Sequence, residues 1–89
     1  MRAVITVLGY DKKAIIYKVT EILAENDVNI LDLSQTILQG YFSMVMIVDV
    51  ADCKVPFEKL QELLDERGKS MDLKIRIQHQ QIFDSMHNI

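Results

Sequence analysis

The feature that most constrains this chain is an abrupt change of period around residue 9. A β-branched apolar run, Arg2-Ala-Val-Ile-Thr-Val-Leu8, ends at Gly9-Tyr10-Asp11-Lys12-Lys13, and a 3.6-residue pattern starts at once with Ala14-Ile15-Ile16. Short β-branched runs suit a covered strand, whereas Ile15, Ile16, Val19, Ile22 and Leu23 fall on one side of a helix, opposite Lys18, Glu21 and Glu25. A strand over residues 2–8 therefore runs through a turn at Gly9 directly into a helix over 13–25, which Asn26-Asp27 stops. A helix start next to a strand end leaves backbone N–H groups unpaired at the positive end of the helix dipole, which suits a carboxylate or another anion.

The period then returns to two. Over residues 29–38, Leu31, Leu33 and Ile37 alternate with Asp32, Ser34 and Thr36, and Gln39-Gly40 marks a tight turn into a strand over 41–50. Pro56 suits the first turn of a second helix, with Phe57, Leu60, Leu63 and Leu64 inward, Glu58, Glu62 and Glu66 outward, and Gly68 as its end. Residues 71–79 alternate again, Leu73, Ile75 and Ile77 against Lys74, Arg76 and Gln78. The tail 81–89 reads as a short helix with Ile82, Phe83 and Met86 on one side.

This order, βαββαβ plus a tail, predicts an α+β, ferredoxin-like sandwich: a four-stranded antiparallel sheet, two right-handed crossovers, and both helices on one face. The chain reads as one domain over 1–89, with a core of 1–80. Such a small domain buries only about 60% of its unfolded surface, so a partner subunit would add stability. If Ala3, Ile5, Val7, Phe42, Met44 and Met46 face the helices, then Val4, Thr6, Leu8, Val45 and Ile47 line the opposite face. That much apolar surface predicts a homodimer, through the sheet face with Lys74, Arg76, Thr36 and Ser34 as rim, or through strand edges that make one eight-stranded sheet.

Charge and composition exclude several functions. A net charge of −3 without a basic run does not provide the attraction that nucleic acid requires, and no apolar stretch approaches the roughly 20 residues that cross a bilayer. The lone Cys53 and the strand pattern beginning at Arg2, which leaves no room for a leader, point to the cytoplasm. Soft-metal transfer needs paired thiolates near the first loop, RNA recognition needs exposed aromatics on the central strands, and phosphate hydrolysis needs an arginine in the first loop. The first loop has neither cysteine nor arginine, strand one offers only Thr6 and apolar groups, and strand three offers Tyr41 and Phe42 only at its very start, so none of these readings is supported. Met44 and Met46 read as core, His79 and His87 as solvated residues outside any metal set, and Cys53 as an unreactive thiol. No cofactor and no catalytic pair is expected, so the chain reads as a binder rather than an enzyme.

The pattern Gly9-x-Asp11-x-x-Ala14-Ile15, followed by helix one and by Asn29-Ile30-x-Asp32 before an alternating strand, resembles the ACT domain, the small-molecule regulatory module of amino-acid metabolism. The resemblance covers nearly the whole chain, is strongest to stand-alone ACT proteins similar to the glycine-cleavage regulator, and extends to the tail Ile82–Ile89. It implies an amino-acid ligand at a homodimer interface, contacted by the first loop and the start of strand two, and a regulated protein partner. Where the family pattern has glycine, this chain has Ala14. The candidate ligand-binding residues are Gly9, Asp11, Lys12, Lys13, Ala14, Ile15, Asn29 and Asp32. Amides of residues 12–15 suit a carboxylate, Asn29 suits the polar end of a ligand, and Asp11 or Asp32 suits an α-ammonium. Structural readings stand beside these: Asp11 as a helix N-cap, Asn29 as a left-handed turn residue, Asp32 as a solvated strand residue, and Lys12 and Lys13 as solvated charges.

Overall fold

The computed structural model describes residues 1–10 and 14–81. The element order is β1 (Arg2–Tyr10), α1 (Ile15–Glu25), β2 (Asn29–Leu38), β3 (Tyr41–Asp49), α2 (Phe57–Met71) and β4 (Lys74–His79). The strands form one antiparallel sheet in the order β2-β3-β1-β4. This is the ferredoxin-like arrangement. The tail from residue 82 lies outside the described residues.

One core joins the helices to one sheet face. Ala3, Ile5 and Val7 of β1 and Phe42, Met44, Met46 and Val48 of β3 are buried with Ile15, Val19 and Leu23 of α1 and Leu60 and Leu64 of α2. The two methionines are core residues, as their alternation requires. On the opposite face Thr6, Val45 and Ile47 are half-buried and Leu8 is exposed, whereas Val4 is buried at 3% exposure outside the core cluster.

Several boundaries differ from the sequence reading, each for a local reason. Gly9 does not end β1, which continues through Gly9 and Tyr10 opposite Phe42 and Tyr41. The glycine serves close packing instead, since a Cβ there would overlap Cδ2 of Leu73. Gly68 does not end α2 either; it is buried inside the helix, where a Cβ would lie 2.8 Å from the Leu73 carbonyl oxygen. The helix ends at Met71, with Asp72 left-handed at φ 57° and the Leu73 N–H donating to the Gly68 carbonyl at 2.7 Å. Helix α1 ends the same way: Asp27 is left-handed at φ 56° and the Val28 N–H donates to the Leu23 carbonyl at 2.9 Å. Both are Schellman ends with aspartate in glycine's usual place. Pro56 precedes α2 rather than lying in it, and its carbonyl accepts the first helical bonds, from Lys59 and Leu60.

The hairpin turn conforms to expectation, with Gln39 and Gly40 both at positive φ, 51° and 82°, as a type I′ turn demands. In β2 a bulge between Ile30 and Asp32 inserts Leu31 and keeps the pattern in phase. Ile30, Leu33 and Ile37 consequently pair with the helix-facing Val48, Met46 and Phe42, and Asp32 and Ser34 pair with Ile47 and Val45 on the other face. His79 is not solvated: it is half-buried, with its ring stacked on Phe57 at 4.0 Å between centroids. His87 lies outside the described residues. Cys53 is half-buried and packs against the core.

Candidate functional site

The junction between β1 and α1 is built on a left-handed residue. Ala14 sits at φ 66°, ψ 17° in the N-cap position, and its carbonyl accepts the Lys18 N–H at 2.9 Å. Among the described residues no side chain caps this helix end, and no acidic residue occupies its first turn. Ile15 is buried beneath the turn, and Gly9 lies at the last-but-one position of β1. Asp11, Lys12 and Lys13 lie outside the described residues.

Asn29 and Asp32 are elsewhere in the protomer. Strands β1 and β2 both run antiparallel to β3, hence parallel to each other, so α1 carries the chain back before β2 begins. Gly9 is opposite Phe42 and Asn29 is opposite Asp49, at the two ends of β3, about 23 Å apart at the usual strand rise. No ligand the size of an amino acid spans that distance. Within one chain the structure keeps Gly9 apart from Asn29.

Asn29 lines a groove of about 510 Å³ between α1 and the start of β2, together with Tyr17, Thr20, Ala24, Val28 and Ile30. Asp32 uses one carboxylate oxygen to accept the Leu33 N–H at 2.8 Å, beside the bulge. A groove of about 590 Å³, lined by Met1, Arg2, His79, Gln80 and Gln81, touches none of the candidate residues.

Strand β2 is a free edge. All ten of its residues are exposed, including Leu31, Ile37 and Leu38, and the neighbouring flank of α1 exposes Ile16 and Tyr17. An unpaired edge with apolar groups on both faces is a template for another strand. The alternation of β2 gave its faces, but its place at the sheet edge depends on long-range order that no local pattern encodes.

Among the described residues the shortest charged contact joins the two helices. Arg67 on α2 donates to the Glu21 carboxylate at 2.8 Å and to the Lys18 carbonyl at 2.9 Å, tying α2 to α1. Its hydrogen bond and charge hold the Glu21 carboxyl below the usual glutamate range, against a desolvation effect in the other direction. The Asp49 carboxyl is also lowered, chiefly by the Ala51 backbone N–H and then by the amino terminus. Among the described residues no group of three side chains is placed to hold a metal ion, and no helix is long and apolar enough to cross a membrane.

Comparison with known proteins fits this geometry. The ACT domain family model matches residues 2–78. A UPF0237 protein of Clostridium acetobutylicum is 49% identical over 89 residues, covering the full length of both chains. The structure of an ACT domain protein from Streptococcus pneumoniae superposes with a TM-score of 0.81 at 40% identity, covering 94% of each chain. A putative glycine cleavage system transcriptional repressor shares the fold at 20% identity and a TM-score of 0.73, over 86% of this chain and 44% of that one. With its element order, its sheet and its residue pattern all in agreement, the chain belongs to the ACT domain family.

Proposed function

We propose that this chain is a regulatory sensor that binds an amino acid at the boundary between two copies of itself. The observation that carries the reading is the separation of the site halves across the sheet, combined with the unpaired β2 edge between them and solvent. Two β2 strands paired antiparallel about a two-fold axis bring the Asn29 end of one protomer beside the Leu38 end of the other. That second end is where the β1–α1 junction of the same protomer lies. Each ligand is then held by Gly9, Asp11, Lys12, Lys13, Ala14 and Ile15 of one copy and by Asn29 and Asp32 of its partner. The start of α1 receives the carboxylate, and Asn29 orients the polar end. The exposed flank of α1 and the helix side of β2 are covered by the same pairing, which supports the strand-edge geometry over packing through the sheet face.

Regulation follows if the ligand favours one arrangement of the two copies, because a partner protein that recognises that arrangement then responds to amino-acid supply. The likeness to a putative transcriptional repressor supports such a role. The alternative, an interaction module without a ligand, draws on Ala14, whose methyl group stands where the family has glycine. The left-handed conformation is nevertheless retained, so the replacement adds a methyl group without rerouting the chain. A thermal-shift screen over the common amino acids separates the readings. A ligand at 100 times its dissociation constant adds about 2.7 kcal/mol, and Asn29→Ala abolishes that shift. Were no amino acid to move the midpoint, the module without a ligand would be the better reading.

A further inference from the structure

The helix-free face of the sheet is divided in character. At one end Leu8, Tyr10, Leu38 and Tyr41 stand together: Tyr10 is opposite Tyr41, Tyr41 is opposite Leu38, and Leu8 is the next residue on that face of β1. The two tyrosine rings meet edge to face at 5.6 Å. All four side chains are exposed, Tyr10 at 68% and Leu38 at 72%. Beside them β4 places Lys74 opposite Leu8 and Arg76 opposite Thr6, both exposed and neither in an ion pair among the described residues. Asp32 and Asp49 of this face lie toward its other end. A chain of net charge −3 thus keeps one half-face aromatic, apolar and positive.

We infer that this half-face docks an amphipathic helix of another protein whose apolar stripe is flanked by acidic side chains. Tyrosine and arginine are the residue types that most often anchor interfaces, because they combine a broad contact area with a polar tip. Lys74 and Arg76 select the charge of the occupant and steer its approach. The same half-face of a second copy again presents Lys74 and Arg76 and, among the described residues, no acidic side chain, so it does not supply the acidic flank that these two residues select. Leu38 belongs to β2 and Tyr10 adjoins the β1–α1 junction, so the test follows assembled mass and the response to amino acids alongside peptide binding.

The test uses the full chain and two labelled helical peptides with the same Leu and Phe stripe, one with glutamates on its polar face and one with lysines, followed by fluorescence anisotropy. The glutamate peptide binds at least tenfold more tightly, and more weakly as salt rises. The double variant Lys74→Glu, Arg76→Glu reverses the preference, and Tyr41→Ala weakens binding of the glutamate peptide. Charge reversal at two exposed positions leaves the melting midpoint, the assembled mass and the response to amino acids unchanged. Equal binding of the two peptides, binding of neither, or indifference to charge reversal would overturn the inference. A change of assembled mass in the double variant would overturn it too, by assigning the face to a second copy.

Discussion

Gly9 and Asn29 mark opposite ends of the sheet, Gly9 level with Phe42 and Asn29 level with Asp49, although both belong to one proposed ligand site. In the proposed dimer such a divided site is completed in trans, and complementation tests it. Asp11→Ala and Asn29→Ala each lose amino-acid binding as homodimers. Mixed in equal amounts and allowed to exchange, they recover roughly a quarter of the wild-type sites, because half the dimers are mixed and each of those holds one intact site. Isothermal titration of the mixture measures the recovery. A stoichiometry of zero would show that both residues act within one protomer.

Ala14 holds a left-handed conformation at φ 66°. For a residue with a Cβ that conformation costs about 1–2 kcal/mol, and glycine removes the cost while adding some freedom to the unfolded chain. Ala14→Gly is expected to stabilise the protein by roughly 0.5–1 kcal/mol, a rise of several degrees in the melting midpoint for a domain of this size. Calorimetry at fixed protein concentration gives the sign.

Gly68→Ala tests two opposing effects. Alanine in a helix interior is better than glycine by about 1 kcal/mol. Here, however, the new Cβ would lie 2.8 Å from the Leu73 carbonyl oxygen and 3.3 Å from Ile75 Cγ1, and a backbone oxygen that begins β4 cannot move aside cheaply. Overpacking wins, and the variant loses roughly 1–3 kcal/mol in urea denaturation.

Acid sensitivity follows from Glu21. Its carboxyl is lowered in the folded protein by Arg67, so the folded state binds fewer protons than the unfolded chain in the acid range. The contribution is complete above the free glutamate value and fades as pH falls through the lowered one. In Arg67→Gln the Glu21 titration, followed by NMR, returns upward toward the free value, and the loss of stability on acidification becomes shallower.

Much of this architecture was legible locally. The alternation of Phe42, Met44 and Met46 and the 3.6 period of Val19, Ile22 and Leu23 record burial directly, and all six are core residues. Two of the three glycines, Gly9 and Gly68, differ from the reading because a turn is the usual role of the residue, a role that Gly40 does fill. Gly9 and Gly68 instead make room for the segment around Leu73, a contact that appears only when β4 returns beside β1. His79 was misplaced for the same reason, since Phe57, which covers it, is distant in sequence. The candidate site was legible as residue types but not as a place, because the parallel run of β1 and β2 separates residues that a linear motif sets side by side.

The extra residue at Leu31 also limits growth. A sheet with two bare edges can polymerise by joining unlike edges without end, but here one edge is kinked by the bulge and the other, β4, is six residues long and bears Lys74 and Arg76. The part of β2 beyond the bulge is regular and longer than β4, and it is the edge that the proposed dimer uses. In the proposed dimer, joining β2 to β2 removes that edge from both copies and leaves only the short, basic β4 edges, so the same irregularity that keeps Asp32 in phase favours a closed pair over a fibre.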